Sequence, residues 1–191
     1  MEHEQTKTGA TRKLFVTEYH KYKDHLLRLD GESRRMRFGM SVDDEFIANY
    51  VLRLHDMKSI VFGHIIGGNV CAAAELRPLG SQMRGEAEAA FSVETPYQDS
   101  GIGTELLGRL VRAARNRSIH RVYMNCLATN KKMQAVAKKH GATLTFDEGE
   151  VVGQVAPSSA HYFSIWREAV EDEMGFVMAV LDLQRRFMPA A

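Results

Sequence analysis

Gln98-Asp99-Ser100-Gly101-Ile102-Gly103-Thr104 joins two stretches of different periodicity. Before it, Ala87-Glu88-Ala89-Ala90-Phe91-Ser92-Val93 reads as a strand. After it, a helix begins near Gly103 and carries Leu106, Leu107, Leu110, Val111 and Ala114 on one side. A strand, a glycine turn and a helix N-terminus together form an anion site. Glycine lets a ligand approach the backbone closely. The first helical N–H groups have no partner within the helix, and the helix dipole favours negative charge there. The turn therefore points to a phosphate-bearing ligand, although a glycine pair also serves as a plain helix cap.

Two phosphate loops are excluded. No Lys-Ser or Lys-Thr follows the second glycine, as a P-loop requires, and Leu106 stands where a dinucleotide fold would place its third glycine. A general nucleotide-binding turn is a weaker third reading. Bulk properties narrow the partners further. Over 191 residues the formal net charge is +1, which selects neither nucleic acid nor an anionic membrane. No apolar run reaches the length of a membrane span, and no signal-peptide core is evident. Cys71 and Cys126 lie far apart among apolar neighbours and read as buried free thiols, which fits a reducing cytoplasm. The histidines show no metal-ligand spacing, so no metal is expected.

The neighbouring segments complete a pattern. Arg121-Val122-Tyr123-Met124-Asn125-Cys126 reads as another strand, and Asn130, Met133, Val136 and Gly141 mark the following helix. With Gln98, Gly101 and Gly103, this order resembles the GNAT N-acetyltransferase superfamily, whose loop reads Gln/Arg-x-x-Gly-x-Gly/Ala. The resemblance covers roughly residues 12 to 155. It implies a mixed, mostly antiparallel sheet with splayed central strands flanked by helices, acetyl-CoA as acyl donor and an amine acceptor. It also implies cofactor contacts at Gln98, Asp99, Ser100, Gly101, Ile102, Gly103, Thr104, Asn130 and Met133. Phe91, Ser92 and Val93 would pair with the pantetheine amides, and the N–H near Val93 would hold the thioester carbonyl. Arg28 to Phe38, with Ser33, Arg37 and Phe38, also resembles a region of the acetyltransferase domains that modify lysines of acyl-CoA synthetases. A small amine and a protein lysine both remain open as acceptors.

The chain departs from the family in two places. Asp99-Ser100 stands where a basic residue is common, and Ala137 stands seven residues after Asn130, where many members carry the tyrosine that protonates the leaving thiolate. Those departures keep a second reading open: a catalytically silent acyl-CoA-binding module that senses CoA or scaffolds a partner.

Acetyl transfer to an amine needs near-attack geometry, a base for the ammonium and a donor to the oxyanion. Glu88 is the first candidate base, because alternation places it with Ala90 and Ser92 on one side of an apolar strand, where a carboxylate must be solvated or paired. An ordinary exposed carboxylate, or one paired with an arginine, is the plain alternative. Glu75 is the second candidate and is expected to meet Glu88 across the sheet. Tyr123, with Cys126, is the candidate thiolate acid. His64 is a candidate for the acceptor pocket, and His140 fits a helix C-terminus. Arg109, Arg112, Arg115 and Arg117 form either a solvated basic face or the seat of the CoA 3′-phosphate, with Lys131 and Lys132 as competitors.

The remaining chain divides into a disordered tail at 1–11, an acetyltransferase domain at 12–156 and a helical appendage at 157–191 packed on it. Leu14-Phe15-Val16-Thr17 reads as a first strand and His20–Leu29 as a helix. Ser41-x-x-Asp44 opens another helix, and Gly67-Gly68-Asn69 turns a hairpin. A second hairpin turns around Glu148-Gly149. In the C-terminal helix, at about 100° per residue, Ile165, Ala169, Phe176, Val180, Leu183 and Phe187 share one side, and Trp166, Val170, Met174, Val177 and Leu181 share the adjacent one. This wide apolar arc predicts two partners: the domain itself and a second copy of the chain.

Overall fold

The computed structural model describes residues 9–80, 85–157 and 162–187. One seven-stranded sheet runs in the order β1-β2-β3-β4-β5-β7-β6. Its strands are β1 (Ala10–Lys13), β2 (Ile60–Ile66), β3 (Asn69–Pro78), β4 (Gly85–Val93), β5 (Ile119–Leu127), β6 (Thr143–Asp147) and β7 (Glu150–Val155). Every adjacent pair is antiparallel except β4 and β5. The helices are α1 (Tyr19–Arg28), α2 (Gly31–Phe38), α3 (Asp44–Leu52), α4 (Ile102–Asn116), α5 (Lys131–Lys139) and α6 (Tyr162–Phe187).

Two apolar layers cover the two sheet faces. On one, Leu106, Leu107, Leu110, Ala113 and Ala114 of α4 pack with Ala87, Ala89, Ile119, Val122 and Met124, and α5 adds Ala137. On the other, Tyr22 and Leu26 of α1 and Ile47 and Val51 of α3 pack with Val61, Val70 and Ala73. The α4 stripe is thus buried as its spacing requires. Gly67 (φ 57°) and Gly68 (φ 81°) turn the β2–β3 hairpin with both central residues left-handed, the conformation that a two-residue turn favours.

Two expectations are corrected. The first strand is Ala10–Lys13, not Leu14–Thr17, and Val16–Glu18 form a single helical turn. Ala10 and Thr11, expected in a disordered tail, pair with Ile65 and His64; residues 1–8 lie outside the described residues. The strand escapes an apolar search because its buried Arg12 is neutralised by two bonds to Glu18, at 2.6 and 2.7 Å. Helix α2 has no sequence counterpart either. It buries no residue, so no stripe marks it. Its caps hold it: the Asp30 side chain accepts from the Ser33 N–H (2.7 Å), and Gly39 closes it at φ 76°. Ser158 and Ser159, expected to lead into the last helix, lie outside the described residues.

Candidate active site

The parallel pairing of β4 with β5 ends at Glu88 and Tyr123. Beyond that point β4 continues to pair with β3, and β5 with β7, so the two inner edges face each other without a ladder. The gap between them is a cleft of ≈ 360 Å³. Ala89, Ala90 and Phe91 line one wall, and Asn125, Cys126 and Leu127 the other. Met36, Arg37, Phe38 and Gly39 border it from α2, and Asn130 and Met133 from the start of α5. The free edge of β4 offers unpaired amide groups to any extended ligand.

The glycine turn follows directly. Asp99 (φ 60°) and Gly101 (φ 86°) both take the left-handed conformation, and Gly101 caps α4 without a side-chain bond. The first intrahelical bond runs from the Glu105 N–H to the Gly101 carbonyl (3.1 Å), which leaves the N–H groups of Ile102, Gly103 and Thr104 without helical partners. A Cβ at Gly101 would meet nothing within 4 Å, and one at Gly103 only Val136 at 3.7 Å, so the space above the turn is open to a ligand. Gln98 donates to the Val93 carbonyl (3.1 Å), which ties the turn to the end of β4. Lys132 reaches over from α5 to Gln98 (2.9 Å) and Asp99 (2.7 Å). The acidic residue that departs from the family pattern therefore has a cation beside it. Ser100 bonds back to the Tyr97 carbonyl (2.5 Å), and Asn130 caps α5 by accepting from the Met133 N–H (3.0 Å).

The carboxylates do not meet as expected. The register sets Glu75 opposite Ala90, and Arg77 opposite Glu88. Glu88 borders the cleft at the point of divergence, ion-paired with Arg77 and 3.5 Å from the Asn125 amide. Glu75 is buried and accepts from Ser59 (2.8 Å), Arg37 (3.0 Å), Tyr22 (3.3 Å) and Tyr50. Those donors come from α1, α2, α3 and the residue just before β2, so this carboxylate ties three helices to the sheet. Burial and the negative Glu75 push the Tyr50 hydroxyl up to about 12, with Arg37 opposing, and the phenol stays protonated.

Tyr123 is half-buried opposite Glu88 and does not line the cleft, whereas Cys126 does. Burial pushes the Cys126 thiol up, and the Cys71 thiol up to about 11. Both cysteines are free. Ala137, at the position where many family members carry a tyrosine, is buried in the α4 layer. His64 bonds to Thr11 (2.7 Å) on the β1 side of the sheet, away from the cleft, which removes it from the acceptor pocket. His140 bonds to the Thr104 carbonyl (2.9 Å) at the end of α5. Arg109 and Arg112 bind Glu171 of α6, and Arg117 binds Glu168. These arginines hold a helix instead of standing free on a solvated face.

Ser92 points away from the cleft. Its hydroxyl lies 2.8 Å from Nε2 of the buried His25, whose Nδ1 lies 2.9 Å from Glu94. Burial lowers the His25 value against the pull of Glu94, so the neutral ring donates to Glu94 and accepts from Ser92. The connectivity is that of a charge relay, but it joins β4 to α1 beneath the surface. Sequence reasoning missed Arg77, Asn125, Tyr50 and Glu150 as cleft residues. Arg77 was within reach: counting the β3–β4 register places it opposite Glu88. Tyr50 and Glu150 come from distant elements, and no local spacing announces them.

Among the described residues there is no group of metal-binding side chains. No described helix is long and apolar enough to cross a membrane. A model of the acetyltransferase (GNAT) family matches residues 23–142. Among solved structures, the GNAT domain of S. lividans PAT is 25% identical, with a TM-score of 0.67 over 78% of this chain and 90% of that one. The structure of yncA from Salmonella typhimurium with its cofactor acetyl-CoA is 19% identical, with a TM-score of 0.58 over 80% and 95%. The ribosomal-protein-alanine N-acetyltransferase from Brucella melitensis is 18% identical, with a TM-score of 0.56 over 77% and 99%. The last two share the fold. No curated protein matches the sequence.

Proposed function

The chain belongs to the acetyltransferase (GNAT) family, and on that footing we propose that it moves an acetyl group from acetyl-CoA to a primary amine, of a small molecule or a protein lysine. One observation carries the reading: a ladder-free gap between β4 and β5 opens beside a glycine turn with three unpartnered helical N–H groups. The N–H groups of Ile102, Gly103 and Thr104 suit the pyrophosphate, and the free edge of Phe91–Val93 suits the pantetheine amides. Asn130 and Met133 close the far side of the arm. We also read the enzyme as cytoplasmic and self-associating.

The chemistry follows from those positions. The amine enters the cleft as an ammonium with an ordinary value of about 10.4 for lysine. Glu88, alone or through water, takes one proton. The amine nitrogen then attacks the thioester carbonyl, and a backbone N–H near Val93 receives the oxyanion. As the C–N bond completes, the C–S bond breaks, the nitrogen loses its second proton and the thiolate gains one. Glu88 is the better placed of the two carboxylates. Both line the cleft, but Glu88 has one charged partner, whereas Glu75 spends its lone pairs on four donors. Tyr123 and Cys126 remain the candidates for protonating the thiolate, and Cys126 is the one on the cleft wall.

A silent acyl-CoA-binding module is the second reading, favoured by the buried Ala137 and by the Arg77 charge on Glu88. CoA release from acetyl-CoA across a panel of amines and lysine peptides separates the two. The enzyme reading expects turnover that falls about 10²-fold in Glu88→Gln with acetyl-CoA affinity retained. Binding without release from any acceptor supports the module. Turnover at the wild-type level in Glu88→Gln removes Glu88 as the base.

A further inference from the structure

Helix α6 meets its domain with the wrong side for an ordinary amphipathic helix. Around the helix, Glu168, Glu171, Asp172, Gly175 and Asp182 share one side, and these residues contact the body of the protein. Glu171 binds Arg109 (3.0 Å) and Arg112 (2.7 Å), Asp172 binds Lys13 (2.9 Å), and Asp182 binds Arg12 (3.4 Å) and Lys21 (3.5 Å). Gly175 lets the backbone approach Arg12, whose side chain would lie 3.5 Å from an added Cβ.

The apolar arc faces outward instead. Trp166 is 56% exposed, Met174 64%, Val177 57% and Leu181 49%, and Ile165 and Phe176 are about half exposed beside them. Phe176 meets the ring of Phe15 edge to face (centroids 5.6 Å). Glu173 interrupts the arc. From their fractional exposures, the apolar side chains of this face present on the order of 800 Å², about what one partner contributes to a stable interface and more than the largest patch of a typical monomer.

We infer that this face is the surface on which two copies of the chain pair, each covering the arc of the other through a twofold axis. The inference rests on the reading of a self-associating chain and is independent of acetyl transfer. A membrane surface fits less well, because interfacial helices carry a lysine- and arginine-rich polar side, whereas the polar side of α6 is acidic and already engaged by the domain. A twofold pairing needs no second, complementary patch, since the same residues meet themselves. No described α6 residue of the same chain lines the cleft between β4 and β5.

Light scattering on the full chain at micromolar concentration tests the pairing. We expect a mass of twice 21.5 kDa. Val177→Glu should raise the dimer dissociation constant more than tenfold, with the far-ultraviolet circular dichroism and acetyl-CoA binding unchanged. Met174→Glu, at the most exposed position of the face, serves as the second variant should Val177→Glu fail to fold. A monomeric wild type, a dimer indifferent to both substitutions, or a monomer that floats with anionic vesicles overturns the pairing. Monomeric variants that still transfer acetyl groups leave the catalytic reading intact, and a silent wild-type dimer defeats only that reading.

Discussion

Helices α4 and α6 are both amphipathic, yet they dock by opposite means. Helix α4 buries Leu106, Leu107 and Leu110 against the sheet and turns Arg109 and Arg112 toward α6. Helix α6 presents Glu171 to Arg109 and Arg112 and leaves Met174, Val177 and Leu181 about half exposed or more. Periodicity reports that a helix has an apolar side. It does not report which surface covers that side. The α4 stripe fills a layer that would otherwise be open, so the domain claims it. The surface beneath α6 is β1 and the outer side of α4, which present Arg12, Lys13, Arg109 and Arg112.

The comparison breaks most readily at α4. Leu110→Ala should cost about 2 to 5 kcal/mol, because a fully buried leucine leaves a cavity that a tight layer fills poorly; chemical denaturation measures it. A loss under about 1 kcal/mol would mean that α4 is no better anchored by apolar contacts than α6. The N-terminus of the same helix gives the next effect. Gly101→Val forces a branched residue to φ 86° beside the ligand space, and acetyl-CoA affinity should fall more than tenfold, or about 1.4 kcal/mol, by calorimetry on folded protein. Unchanged affinity would detach the ligand from the turn.

Smaller effects belong to α6. Glu171→Gln removes the charge shared by Arg109 and Arg112, and it should cost on the order of 1 kcal/mol of helix docking, partly screened because these side chains are 20% and 27% exposed. Acid should act in the same direction. Burial raises the Glu171 carboxyl, but the hydrogen bond from Arg167 and the charges of Arg112 and Arg109 outweigh it and hold the group below its ordinary value. A group lowered by folding stabilises above the unfolded carboxylate value, about 4.3, and that support is lost as the pH falls through the folded value. Docking of α6 should therefore be intact at neutral pH and loosen in acid. Trp166, the one tryptophan of the chain, reports the change by fluorescence. A helix whose docking ignores both pH and the Gln variant would be held by something other than charge. The smallest effect is expected at Val177→Ser: below about 0.5 kcal/mol when unfolding is followed under dilution to the monomer, because the side chain touches little within one subunit. A large loss there would mean that α6 uses its apolar arc within the monomer after all.

Much of the backbone of the candidate site was readable from residues alone because its parts are local. The turn from Gln98 to Thr104, the strand before it and the helix after it are contiguous, and glycine at a left-handed position is a backbone requirement that any reader of the sequence can see. The hairpins at Gly67–Gly68 and Glu148–Gly149 are legible for the same reason. The partners of each charge were not legible. Arg77 on Glu88, four donors on Glu75 and Lys132 beside Asp99 are set by register and by packing between distant segments. Strand β1 and helix α2 hid because ion pairs and caps hold them where an apolar pattern usually would.

The kind of sheet, the glycine turn at the head of α4 and the existence of an apolar arc on the last helix were already legible in the residues. These follow from periodicity and backbone stereochemistry, which act over a few residues. Tertiary packing set the rest: both carboxylates line the cleft, but Glu75 is tied up by four donors while Glu88 has one charged partner, and α6 turns its acids inward. Both outcomes depend on electrostatic pairing between groups far apart in the chain, whose strength is set by distance and burial and not by spacing along the backbone.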